Sequence, residues 1–358
     1  MVISTKPVSC AEIKNRFPQY FLDSVGDLSR SIRKIASPEN ADPESALFLA
    51  TPKAVAEGFK TQAPVWVVNP KARVEAEAQR GERTILIANN VELAMALVIN
   101  EYFLRTPYTN SHVPNIHPRA IIHDSAELAS DVRVGPGAFI GAHVKLARGV
   151  FIGANSVIED ETSIDEDTVI HPLVFIGHST VIGKRCEIHP QCCVGKEGYG
   201  YAHDEKFNHT KIPHQGRVVL EDDVHIGGNC TIDRGTFTET RLEKGLRLDN
   251  QVHIAHNCRF GRNSLITAGF ATAGSTKVGA NFVTGGKTVT AGHLEICDNV
   301  QIAGVSAVSK DITEPGQYGG NPLMPLQQHL KMKAAMVHLA DMRKQLNSVL
   351  KKLGINEG

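Results

Sequence analysis

From Ile116 onward an apolar side chain returns at every sixth position. The first run passes through Ile122, Leu128, Val134, Ile140 and Leu146 and on to Ile188 and Val194. It resumes at Leu220, Ile226 and Ile232, then continues from Leu242 through Ile254, Phe260 and Ile266 to Val308, with Thr272, Thr284 and Thr290 holding the position late in the chain. A period of six matches neither the 3.6 of a helix nor the alternation of a strand exposed on one face. It predicts a mainly β chain coiled as a parallel β-helix, with one hexad per side and about 18 residues per turn. Successive turns should lie about 4.8 Å apart, the spacing of paired strands. Glycines such as Gly135, Gly141, Gly153, Gly177 and Gly183 follow the ladder residue, where the chain is expected to corner tightly.

The rhythm is absent before it. Residues 1–108 read as an α/β domain, with a short helix at Ser9–Phe17, a buried strand at Ala46–Ala50, a helix at Pro52–Phe59, and strands at Val65–Val68 and Thr84–Ala88. Helical spacing covers Asn90–Leu104, and Pro107–Pro118 should connect to the coils. The solenoid is expected over 109–318. Two excursions interrupt it, Lys196–Arg217 and a shorter one around Asp233-Arg234-Gly235, and long loops leaving a rigid scaffold are usually functional. Residues 319–358 turn to helix formers. There Met332, Ala335, Leu339, Met342, Leu346, Val349 and Leu353 step by threes and fours, either a seam between chains or a helix pair folded back on the prism. A triangular prism with flat faces points to a homotrimer.

Composition narrows the compartment and the partners. The 358 residues carry formal net charge +0, which argues against a general nucleic-acid binder. The N-terminus shows no basic segment leading into an apolar stretch, and no run is long enough to span a bilayer. The seven cysteines are scattered, as expected of reduced thiols in the cytoplasm.

Residues one coil apart in sequence become neighbours in space, so spacings of 18 carry the chemistry. Gly274 lies 18 positions after His256, and Gly292 lies 36 after it with His293 alongside. A histidine beneath a glycine with an outward N–H supplies a general base and an oxyanion donor, the two parts an acyl transfer from a thioester needs. Asp249, seven positions before His256, is a candidate to orient the imidazole. His171 and His189, also 18 apart, are expected to stack at a corner. Zinc would have to come from His112/His117 or His209/His214, and no metal site is expected.

The motifs then become specific. Gly198-Tyr199-Gly200-Tyr201-Ala202, Lys211-Ile212-Pro213, Thr231-Ile232-Asp233-Arg234-Gly235, Asp249-Asn250-Gln251, Ile254-Ala255-His256-Asn257 and Gly292-His293-Leu294-Glu295 closely resemble the UDP-3-O-acylglucosamine N-acyltransferases of lipid A assembly. The resemblance is strong across the solenoid and weak before it. It implies a left-handed β-helix, against the usual hand of crossovers, assembled as a homotrimer with active sites between subunits. It implies transfer of a 3-hydroxyacyl chain from acyl carrier protein to the 2-amino group of UDP-3-O-acylglucosamine. The phosphopantetheine arm arrives on the carrier protein, so the enzyme needs no cofactor of its own. His256 matches the family's base, Gly274 its oxyanion glycine, and His293 a second supporting histidine. Tyr199, Tyr201 and Asn250 fall in motifs expected to contact substrate. Lys331, Lys333, Arg343 and Lys344 offer either a carrier-protein surface or an ordinary solvated helix face.

One stretch departs from the family. Its uracil sandwich uses a Phe and the Tyr of an Asn-Pro-Lys-Tyr turn. Phe48 and Lys53 stand in place here, but the turn reads Thr51-Pro52-Lys53-Ala54, so one aromatic face is missing. Losing a base stack costs about 1–3 kcal/mol. Acyl transfer to another nucleotide sugar, from carrier protein or acyl-coenzyme A, and a non-catalytic trimeric paralogue therefore stay open, as does a zinc hydratase on the same solenoid.

Overall fold

A computed structural model describes residues 2–103, 115–321 and 323–353. Its contacts divide the chain into two units, Met1–Asn110 and Ser111–Gly358. Leu104 and much of the expected Pro107–Pro118 connector, His112 included, lie outside the described residues.

The first unit is one six-stranded sheet in the order Val2–Ser9, Ser31–Ile35, Ser45–Leu49, Val65–Val68, Thr84–Ala88, Phe21–Val25. The four central strands run parallel and the outer two pair antiparallel. Both faces are buried: Ala46, Val65, Val67 and Leu86 point to one core, and Leu47, Leu49, Trp66, Val68, Ile85 and Ile87 to the other. The short helix spans Cys10–Arg16, closed by a capping box between Ser9 and Glu12. Helix Pro52–Phe59 has the expected bounds, with Thr51 Oγ1 accepting from the Ala54 N–H at 3.2 Å. The last helix covers Val91–Val98 and closes in a π turn to Phe103. The strands at Val2–Ser9, Phe21–Val25 and Ser31–Ile35 and the helix at Arg73–Ala78 carry too little periodicity to be read from the sequence.

The second unit is the left-handed parallel β-helix. Its three sheets contain ten, nine and eleven short strands, and ladder positions pair in the expected 18-residue register, as in Ile122, Ile140, Ile158 and Ile176. The two excursions lengthen the step to 38 residues at Glu187↔His225 and to 22 at Thr231↔His253 without breaking a sheet. Ladder side chains fill the lumen. Each fully buried Ile adds about 1.5–3 kcal/mol, so no single hexad folds alone and stability comes from stacking. Buried hydroxyls beside the ladder bond to coil carbonyls, as Ser156 Oγ does to His171 O and Thr168 Oγ1 to Gly183 O, both at 2.8 Å. Phe260, Phe270 and Phe282 cluster with centroids 6.0–6.5 Å apart, taking the volume the ladder gives up where Thr272 and Thr284 replace Ile.

The corners need a correction. Gly135, Gly141, Gly153, Gly177 and Gly183 are not in the left-handed region; that conformation falls two residues later, at positions such as His143, Asn155, Asn257 and His293. These glycines serve close approach instead. A Cβ on Gly153 would lie 2.3 Å from Pro172 N, and one on Gly183 would lie 2.7 Å from Asp222 N, both in the next coil. The residue between the glycine position and the left-handed one turns its N–H outward, and at several corners a side chain of an adjacent coil caps it. Ala142 N donates to Asp160 Oδ1 at 2.7 Å, from the coil above, and His178 N to Glu159 Oε2 at 3.0 Å, from the coil below.

The chain ends in helices Leu326–Met336 and Leu339–Lys352. The first packs on strand Gly316–Gly319, whereas Leu339, Met342, Leu346, Val349 and Leu353 on the second stay half exposed or more.

Candidate active site

His256 follows the strand His253–Ile254 at a corner of the β-helix. The next coil lays Gly274 over it. A Cβ on Gly274 would lie 2.5 Å from His256 Cε1 and 2.7 Å from Nε2, so the imidazole occupies the space a side chain would take. The stack is fixed by the backbone, with Ser275 N donating to His256 O and His293 N to Gly274 O, each at 2.9 Å. Among the described residues the Gly274 N–H donates no hydrogen bond. A base and an unused amide donor thus face the same space. His293 sits one coil further in the left-handed conformation.

The excursion closes the other side of the ring. Gly198 passes so close that a Cβ would lie 3.0 Å from His256 Cβ and Cδ2, and one on Gly200 would lie 2.7 Å from His214 Cε1. The two glycines of the Gly-Tyr-Gly-Tyr motif therefore let the backbone lie on two imidazoles. Tyr199 and Tyr201 point outward, their rings 5.2 Å apart and well exposed. Beyond them the excursion forms a hairpin, Tyr201–His203 with His209–Lys211, so His209 and His214 are not brought together as metal ligands.

Four residues not singled out as catalytic from the sequence complete the surroundings. His214 is 2% exposed, with its ring 4.8 Å from that of His256. Asn257 Nδ2 lies 3.0 Å from His256 Nδ1, and its amide is held by Thr236. Asp233 is 1% exposed, pairs with Lys196 Nζ at 2.5 Å and lies 3.9 Å from His253 Nε2. The buried Arg234 anchors that corner, donating from Nε to Gly195 O at 2.6 Å and meeting the His178 ring.

Burial lowers the His256 pKa from its ordinary 6.5, and nearby His214 and His293 lower it further, while the Asp233 carboxylate and the Tyr199 carbonyl push it back up. The ring is therefore held unprotonated near neutral pH, as a base must be.

Asp249 does not belong to this group. Its carboxylate sits at another corner, where Oδ1 accepts from Asn250 N at 2.7 Å and Oδ2 from Ala268 N at 3.1 Å. The carboxylate that acts on His256 is Asp233. Asn250 is a cap as well, with Oδ1 accepting from Gly228 N at 2.8 Å and Nδ2 donating to Asp249. His171 and His189 stack with centroids 4.6 Å apart, and both face Glu187, in lower coils of the corner column that holds Asp249. In the first unit, Phe48 lines a cleft of about 480 Å³ with Ile35, Ser37, Asn40 and Met95, at the carboxyl ends of parallel strands. Lys53 is exposed in the first turn of the helix that follows.

The model of the GMPPB C-terminal domain matches residues 116–199, a stretch of the repeats. A UDP-3-O-acylglucosamine N-acyltransferase of Methylococcus capsulatus is 38% identical over 354 residues, 98% of this chain and 99% of that protein. Those of Bordetella pertussis and of Pseudomonas aeruginosa strain UCBPP-PA14 are each 36% identical over 329 residues, covering 90% or more of both chains. Among solved structures, LpxA from Acinetobacter baumannii aligns at a TM-score of 0.45 and 25% identity, over 61% of this chain and 77% of that one, too loosely to carry weight.

Proposed function

The chain belongs to the UDP-3-O-acylglucosamine N-acyltransferases, an enzyme family of lipid A biosynthesis, and we propose that His256 and Gly274 perform its acyl transfer. The observation that carries this reading is the imidazole seated under a glycine whose N–H is unused. The 2-amino group of UDP-3-O-acylglucosamine attacks the thioester carbonyl carbon, and His256 takes the proton the nitrogen releases. The Gly274 N–H donates to the oxygen as negative charge develops there. The C–S bond then breaks, the new amide remains on the sugar, and the thiolate leaves with the proton returned by the imidazolium. No acyl-enzyme forms, so holding both substrates together supplies much of the rate.

The acyl donor in this reading is a 3-hydroxyacyl carrier protein, whose phosphopantetheine carries the thioester and leaves the enzyme without a cofactor of its own. Exposed Lys331, Lys333, Arg343 and Lys344 on the terminal helices suit an acidic carrier. The Phe48 cleft takes the uracil, with Ala54 offering no second ring and Thr51, in place of the family's Asn, capping the helix that follows. His293, Tyr199 and Tyr201 line the approach to the corner. We place the reaction in the cytoplasm, which suits the seven free thiols, and in a homotrimer.

Purified protein, 3-hydroxyacyl carrier protein and UDP-3-O-acylglucosamine, followed by mass spectrometry, test this directly. The expected product is the UDP-2,3-diacylglucosamine, with none from UDP-N-acetylglucosamine. Transfer to other nucleotide sugars at equal rate, or no transfer by a folded protein, would overturn it.

A further inference from the structure

We propose that Gly292 and Ala255 are positioning residues, whose missing side chains keep the Gly274 N–H uncapped and available to the reacting carbonyl. The inference rests on the acyl-transfer reading above. Its basis is the capping pattern of the corners. At the register of Gly274 some outward N–H groups, such as those of Ala154, Asp160 and Gly286, donate to nothing among the described residues. Others are capped by the preceding side chain, as Asp165 caps Glu166 and Asp249 caps Asn250, both at 2.7 Å, or from one of two places in adjacent coils. One is the equivalent residue of the coil above, as Asp160 caps Ala142 (2.7 Å), Asp222 caps Lys184 (2.9 Å), Asn250 caps Gly228 (2.8 Å) and Asp298 caps Ala280 (2.7 Å). The other lies one residue earlier in the coil below, as Glu159 caps His178 (3.0 Å), Glu243 caps Arg262 (3.2 Å) and Asp249 caps Ala268 (3.1 Å).

For Gly274 the two places in adjacent coils are Gly292 and Ala255, and the preceding residue is Ala273. None of the three has a side-chain acceptor to offer, and the N–H donates to nothing among the described residues. Ala142 and His178 stand in the same corner column as Gly274, so the geometry of that column does not forbid capping. Gly292 is not needed for backbone freedom, because it is outside the left-handed region. A Cβ there would meet Gly274 O at 3.0 Å, which asks for a shift of a few tenths of an ångström. An acceptor at either position competes with the thioester oxygen for the one donor the reaction uses.

The test compares Gly292→Asp, Gly292→Asn and Ala255→Asp with Gly292→Ala, using wild type and His256→Ala in the same carrier-protein assay. Gly292→Ala should stay within about threefold of wild type. The three acceptor variants should lose about 10²–10³-fold in kcat, the scale for one oxyanion donor, with KM for the acceptor nearly unchanged and a thermal midpoint near that of Gly292→Ala. Asn250 caps with a neutral oxygen, so Gly292→Asn should fall with the aspartates, which separates capping from charge repulsion. The inference is overturned if folded Gly292→Asp and Ala255→Asp turn over at the Gly292→Ala rate, or if Gly292→Ala falls as far as Gly292→Asp. Inactive wild type would instead remove the acyl-transfer reading itself.

Discussion

His256 accepts a proton only while its ring is neutral, and its neighbours set the pH at which that holds. Burial and His214 pull its pKa below the ordinary 6.5, so the acid limb of kcat/KM should lie below that value. Asp233 works in the opposite sense. Asp233→Asn should therefore move the acid limb to lower pH, and His214→Gln should move it to higher pH; a pH–rate profile of each variant reads both signs. Asp249→Asn, which loses only a corner cap, should leave the limb where it is. His256→Ala should lower kcat by about 10²–10⁴-fold with the fold intact, checked by circular dichroism alongside the assay. The 18-residue spacing made His256 and Gly274 legible in the sequence. Asp233 was hidden because the short excursion stretches its coil to 22 residues, which disguises it as a distant residue. Counted in coils, Asp233 occupies the same place below His256 that Glu159 occupies below His178.

A hexad has six positions with separate duties, and only the apolar one announces itself by periodicity. The ladder was therefore readable throughout, even where Thr272 and Thr284 hold it, because Phe270 and Phe282 refill the lumen. The glycines were visible but their reason was not, since contact between coils leaves no mark on one coil's sequence. The left-handed position is the easiest to test. It holds Asn at 155, 229, 257, 263, 281 and 299, but Val305 sits there with φ 57° and 74% exposure. A left-handed conformation costs an L-residue about 1–2 kcal/mol, more readily tolerated by Asn. Val305→Asn should raise the thermal midpoint in a melting experiment without touching activity. In the excursion, Gly198→Ala should do the reverse, leaving the midpoint near wild type while lowering kcat about tenfold or more, since its Cβ presses on the catalytic ring.

At the scale of the whole molecule, the terminal helix poses the open packing problem. An isolated helix as short as Leu339–Lys352 is marginal in water, yet its apolar seam through Met342, Leu346 and Val349 has no cover within the described chain. In the proposed homotrimer, other copies of the chain would supply that cover. The prism presents a far larger surface for association than about three heptads do, so the helices should follow the assembly and not create it. Leu346→Asp is accordingly expected to leave a particle three times the 38.8 kDa chain in sedimentation, while residues 339–353 become labile to limited proteolysis. If that substitution instead released monomers, the seam would be what holds the assembly together, and the flat faces of the β-helix would have to be assigned another partner.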